Sequence, residues 1–148
     1  MSALKDQITN DMKDAMRAKD KLRLGTIRMA LAEVKQRQID AQMVPDDANI
    51  LAILTKMVKQ RKESASQYLA ATRQDLADVE LAEIAIIEQF LPQALTQAEL
   101  DDLLTQAIAE TAASSMQDMA KVMAWLRPQV QGRTDMGALS GLVKNRLN

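Results

Sequence analysis

Arg61 stands in the middle of an apolar stripe. At 100° per residue it shares one helical face with Ile50, Leu54, Met57 and Tyr68. Glu80 and Glu83 fall equally centrally in a second stripe, that of Leu76, Val79, Ile87 and Phe90. A lone charge in an apolar interior is costly, so the arginine and one of the glutamates are expected to meet across two facing helices. Taken as packing, this is an ion pair that fixes helix register, part of a polar core of Arg61, Ser64, Tyr68, Glu80 and Glu83. Taken as chemistry, Arg61, Ser64, Tyr68 and Glu80 line a pocket for a polar ligand. A metal centre is the weaker reading, because helical di-iron bundles use Glu-x-x-His and the chain holds no histidine.

The missing residue types narrow the chemistry further. With no Cys and no His among 148 residues, there is no thiolate nucleophile, no disulfide, no thiolate metal site and no side chain that titrates near neutrality unperturbed. No P-loop or Gly-rich phosphate cradle appears, and no Ser-Ser-Lys amidase arrangement in a Gly-rich stretch. Catalytic residues, a cofactor and a metal are therefore not expected.

Cations supply the other candidate site. Lys21, Arg28 and Lys35 recur every seven residues along one flank of a helix, roughly 10.5 Å apart, with Arg23 and Arg37 along the other flank. Such rows are either stems lying over the edge of a core or a surface that contacts phosphates. Near the C-terminus Gly137, Gly141 and Lys144 lie within about 60° of one another, roughly opposite Leu139 and Val143. Each helix-interior glycine costs on the order of 1 kcal/mol against alanine, so two on one outward face imply close approach of a phosphate backbone or another helix. Arg133 and Lys121 complete the set of candidate nucleic-acid contacts. Asp135 caps this helix and disfavours an anion at its N-terminus, which places the contact on the face.

The elements that carry these residues are helical. Ala (23), Leu (18), Gln (14) and Met (10) dominate, against 4 Gly, 3 Pro and three aromatics, so little is available to build a sheet. Leu4, Ile8, Met12 and Met16 mark a first helix. Asp20 caps a second with Leu24, Ile27, Leu31 and Val34 inward, and Asp46 or Asp47 caps a third after Pro45. A break at Arg73-Gln74-Asp75 precedes a fourth helix on Leu76, Val79, Ile84, Ile87 and Leu91, which Pro92 stops. Thr96-x-x-Glu99 forms a capping box for a fifth helix, which uses Leu100, Leu103, Leu104, Ala107 and Ile108. Ser115 with Asp118 starts a sixth on Met116, Met119, Met123 and Leu126, ended by Pro128, and Asp135 caps the last. The fold class is all-α: a four-helix N-terminal domain over 1–92 and a small three-helix domain over 96–148.

Charge comes in blocks that a net charge of −1 conceals. Residues 1–73 carry 14 basic and 9 acidic side chains, residues 74–110 carry 9 acidic and no basic ones, and residues 111–148 carry 5 basic and 2 acidic. The acidic middle would repel RNA, which confines any nucleic acid to the two ends. Exposed aromatics for base stacking are lacking, so a contact with folded RNA would go through backbone and shape. Without an N-terminal signal or an 18-residue apolar run, the protein is expected in the cytoplasm and off the membrane.

Lys21-Leu22-Arg23 through Lys35, Arg61-Lys62-Glu63-Ser64 with Tyr68, and Arg73-Gln74-Asp75-Leu76 resemble the YqeY-like proteins. So do Glu80-x-x-Glu83 with Phe90-Leu91-Pro92, and Gly132-Arg133-Thr134-Asp135. That family is similar to the C-terminal tail of the B subunit of the tRNA-dependent amidotransferase, and Val122-Met123 with Gly132-Arg133 and the closing helix are most like that tail. The resemblance implies a helical domain plus a small three-helix domain, associated with tRNA recognition. The function expected is a non-catalytic, tRNA-associated accessory protein. The alternatives are a helical protein–protein adaptor for a tRNA synthetase or amidotransferase and, last, a carbon–nitrogen ligase using glutamine as donor in its own right.

Overall fold

The computed structural model describes residues 2–148. Its regular structure is helical: α1 (Ala3–Arg17), α2 (Lys21–Ala41), α3 (Asp47–Ala70), α4 (Gln74–Glu88), α5 (Gln97–Thr111), a 3₁₀ turn (Met116–Asp118), α6 (Met119–Val130) and α7 (Met136–Leu147). No strand occurs among the described residues. One compact unit ends at Pro92, and a second runs from Gln93 to Asn148.

In the first unit α1 to α4 close over Ile8, Ile27, Val34, Ile50, Leu54, Ile87 and Phe90. Short polar side chains begin α1, α2 and α3 by accepting from backbone N–H groups that have no helical partner. Ser2 accepts from the Lys5 amide (3.1 Å) and donates its own hydroxyl to Asp47. Asp46 and Asn49 cap α3 reciprocally at 2.8 and 3.2 Å. The two adjacent aspartates thus divide the work: Asp46 caps its own helix and Asp47 holds the start of α1.

The ends of α1, α2, α3 and α5 share one closure. Lys19, Gln42, Thr72 and Ala112 all have left-handed backbones, with φ of 57°, 53°, 59° and 53°. In each case that residue's amide and the next one reach back to the last turn, as Thr72 to Leu69 O (3.1 Å) and Arg73 to Tyr68 O (2.7 Å). Asp20 both completes the closure of α1 and caps α2, and Arg73 both completes the closure of α3 and precedes α4. The α1–α2 and α3–α4 hairpins therefore each turn on a residue that belongs to two helices, whereas α2 and α3 are joined through residues 42–46.

The second unit packs α5, α6 and α7 around Leu104, Val122, Leu126, Val130, Leu139 and Val143. Thr96 and Glu99 form the expected capping box, and Asp135 accepts from the Gly137 and Ala138 amides at 3.4 and 3.2 Å. Gly132, buried with φ 77°, makes the turn before α7.

Several boundaries and stripes differ from the sequence reading. Helix α4 stops at Glu88, before Pro92, because Phe90 tightens onto Ile87 O (3.0 Å) and buries its ring in the core. Pro128 sits inside α6; the helix continues to Val130, whose full burial keeps the last turn docked despite one lost amide. The sixth helix begins with the 3₁₀ turn, which leaves Met116 exposed. Met16 is 48% exposed and Ala15 takes its core place, since steps of four residues walk 40° round the helix each time. Val79 is 47% exposed for a related reason: the buried line of α4 runs through Ala77, Ile84 and Ile87.

Candidate functional site

Arg61 meets Glu83. Its Nε lies 2.8 Å from Oε2, and the two side chains are 14% and 15% exposed. The rest of the guanidinium is also engaged: Nη1 donates to Met57 O on its own helix at 3.3 Å, and Nη2 lies 3.7 Å from Met29 Sδ on α2. One side chain thus ties α3 to α4 and touches α2. Ser64, Tyr68 and Glu80 are half-buried nearby on α3 and α4, but the bonds of Arg61 run to other atoms. The arrangement is a pinned helix junction, with the charge already answered.

Arg23 is likewise engaged, bonded to Asp11 of α1 (3.4 Å) and to Gln89. Lys21, Arg28 and Lys35 differ. All three are exposed along the outer side of α2, and no ion pair among the described residues engages them. Gly25 lies on the same outer side, and a Cβ built there meets nothing within 4 Å.

In the second unit Arg133 is spent on structure. Its Nε donates to Gln93 O at 2.9 Å, its Nη2 lies 3.5 Å from Glu99, and its own carbonyl accepts from Leu95. Lys121 pairs with Asp118 at 3.6 Å. The Ser114 and Ser115 amides, with Lys121 beside them, hold the Asp118 carboxyl below the usual carboxylate range. Arg146 spans to Thr105 (3.1 Å) and Asp101 (3.8 Å), docking α7 on α5. What remains outward on α7 is Gly137, Gly141 and Lys144, all exposed, while Leu139 and Val143 are fully buried. A Cβ at Gly141 also meets nothing within 4 Å.

One feature absent from the sequence reading is a cleft of about 300 Å³ between α2 and α3, walled by Glu33, Arg37, Asp40 and Lys56 over a floor of Ile53 and Met57. Charges of alternating sign on two helices read as solvated surface until the helices are set face to face. Among the described residues no group of three or more His, Cys, Asp or Glu side chains is placed to hold a metal ion, and no helix is long and apolar enough to cross a membrane.

The family model described as "Yqey-like protein" matches residues 5–147. "Altered inheritance of mitochondria protein 41, mitochondrial" of Lachancea thermotolerans is 35% identical over 130 residues, 81% of this chain and 70% of the relative. The protein of the same name from Kluyveromyces lactis is 33% identical over 141 residues, 93% and 72% of the two chains. That of Vanderwaltozyma polyspora is 40% identical over 85 residues, 57% of this chain and 46% of the relative. The chain thus spans from about half to about seven-tenths of the length of these relatives. Their names correct the expectation of a cytoplasmic protein, because all three are mitochondrial by name. A secretory signal and an apolar span, the features on which that expectation turns, do not distinguish a mitochondrial compartment from the cytoplasm.

Proposed function

Since the chain belongs to the Yqey-like protein family, we propose that it is a non-catalytic accessory protein that recognises tRNA by shape and phosphate contacts. The observation that carries this reading is the outer face of α7, where Lys144 is exposed, with no ion pair among the described residues, beside the bare backbone at Gly141. A phosphate backbone can approach such a face closely, and the cation supplies the attraction. Lys21, Arg28 and Lys35 offer a second exposed row on α2. Arg133 and Lys121 contribute less, being held by Glu99, the Gln93 carbonyl and Asp118. The accessory role fits a chain without Cys or His, and the likeness to an amidotransferase tail makes a tRNA synthetase or amidotransferase the partner enzyme to test.

Binding of bacterial and mitochondrial tRNA pools to Gly141→Leu and Lys144→Glu, at several salt concentrations and beside their melting temperatures, tests the reading. The expected result is binding weakened about tenfold or more with melting unchanged, and a log–log salt slope that is shallower for Lys144→Glu. Variants that bind like the parent would remove α7 as the contact. A second reading, an adaptor for another protein, draws on Ile39, Met43 and Val44, exposed by 59%, 50% and 62% at the end of α2 and the loop after it. Apolar docking there would scarcely respond to salt.

A further inference from the structure

The cleft between α2 and α3 has walls of both charge signs that leave one another unneutralised. Glu33 and Arg37 stand four apart on α2, the spacing at which helix ion pairs form, and Lys56 faces them from α3. Yet no ion pair joins Glu33, Arg37, Asp40 or Lys56 among the described residues; Asp40 is bonded only to the Gln36 amide, at 2.8 Å. The floor is apolar, with Met57 3% exposed and Ile53 half-buried. All four charged side chains are exposed, so they stand open to solvent round the cleft and are free to take a small charged molecule that enters it.

The charges select its class. A polyanion would meet Glu33 and Asp40. A metal ion would meet Arg37 and Lys56, and the two carboxylates are seven residues apart on one helix, roughly 10.5 Å of rise, too far to share one ion. A molecule carrying one charge of each sign answers both walls. A cleft of about 300 Å³ lies at the small end of ligand pockets, the scale of a single amino acid. We propose that this cleft binds a free α-amino acid. Its carboxylate is taken by Arg37 and Lys56, its ammonium by Glu33 and Asp40, and its side chain lies over Ile53. The site shares no residue with the α7 face, so it stands or falls independently of tRNA binding.

The test is a titration of the ¹⁵N-labelled full chain with L-methionine and L-glutamine, followed in the side-chain amides of Gln36, Asn49 and Gln60, which line the same cleft. The expected result is a saturable shift with either free amino acid. N-acetylmethionine, methionine amide and the doubly capped form each lack one charge or both, and should bind about tenfold or more weakly, since each loses a charge-assisted contact. Arg37→Gln with Lys56→Gln should lose methionine to the same degree while the remaining amide spectrum is unchanged. Shifts that never saturate, or a doubly capped analogue that binds as well as the free amino acid, would overturn the proposal even if the double variant proved unstable.

Discussion

At the scale of single residues, the ion pair at the helix junction is the most exacting feature. Truncating one member of a nearly buried pair strands its partner, so Arg61→Ala should lower stability by about 3 kcal/mol in urea unfolding. Replacing both, Arg61→Met with Glu83→Leu, should recover most of that loss, because the desolvation of two charges disappears with them. If the double variant is no better than the single, the pair is itself a net source of stability. The Arg73 guanidinium beside Asp75 and the serine amides around Asp118 hold those carboxyls below the usual range. A depressed folded value means that their contribution is present at neutral pH and is lost as pH falls through that value. Asp118→Asn should accordingly flatten the acid limb of a Tm-against-pH curve. The charge pair was legible in the sequence, because a charge inside an apolar stripe demands a partner. The engagement of Arg133 was not, since its acceptor is a backbone carbonyl forty positions away, and carbonyls carry no signature in a sequence.

At the scale of elements, the starts of helices were legible and their ends were not. Asp20, Thr96 and Asp135 announce themselves by side-chain type, and each caps where its type suggests. The closures of α1, α2, α3 and α5 put Lys19, Gln42, Thr72 and Ala112 where glycine or asparagine is usual, so the ordinary signal is missing. Thr72 is the most strained, a β-branched residue at φ 59°. Thr72→Gly should therefore stabilise the protein by about 1 kcal/mol, seen as a rise of several degrees in Tm. A lower Tm would mean that the threonine side chain contributes more than its backbone costs. Apolar stripes were legible to within about one turn: they placed Ile8, Leu54 and Leu139 inside, and mistook Met16 and Val79 for core where a small Ala15 or Ala77 fills the place.

At the scale of the whole molecule, the two cores are built from separate stretches of chain, one from residues up to Phe90 and one from Leu100 onward. A fragment ending at Pro92 should keep its helices and melt in one cooperative step by circular dichroism. A fragment without a transition would show that the first core needs residues beyond it. The hairpin turns at Asp20 and Arg73 carry this further. Because each of these turn residues finishes one helix and opens the next, α2 finds a packing partner in α1, and α4 in α3, with almost no loop to close. Contacts of short sequence separation form early and quickly. During synthesis, the first ninety-odd residues can therefore fold while the segment carrying the α7 face is still inside the ribosome. The basic row of α2 would then be displayed beside the translation machinery before the α7 face emerges.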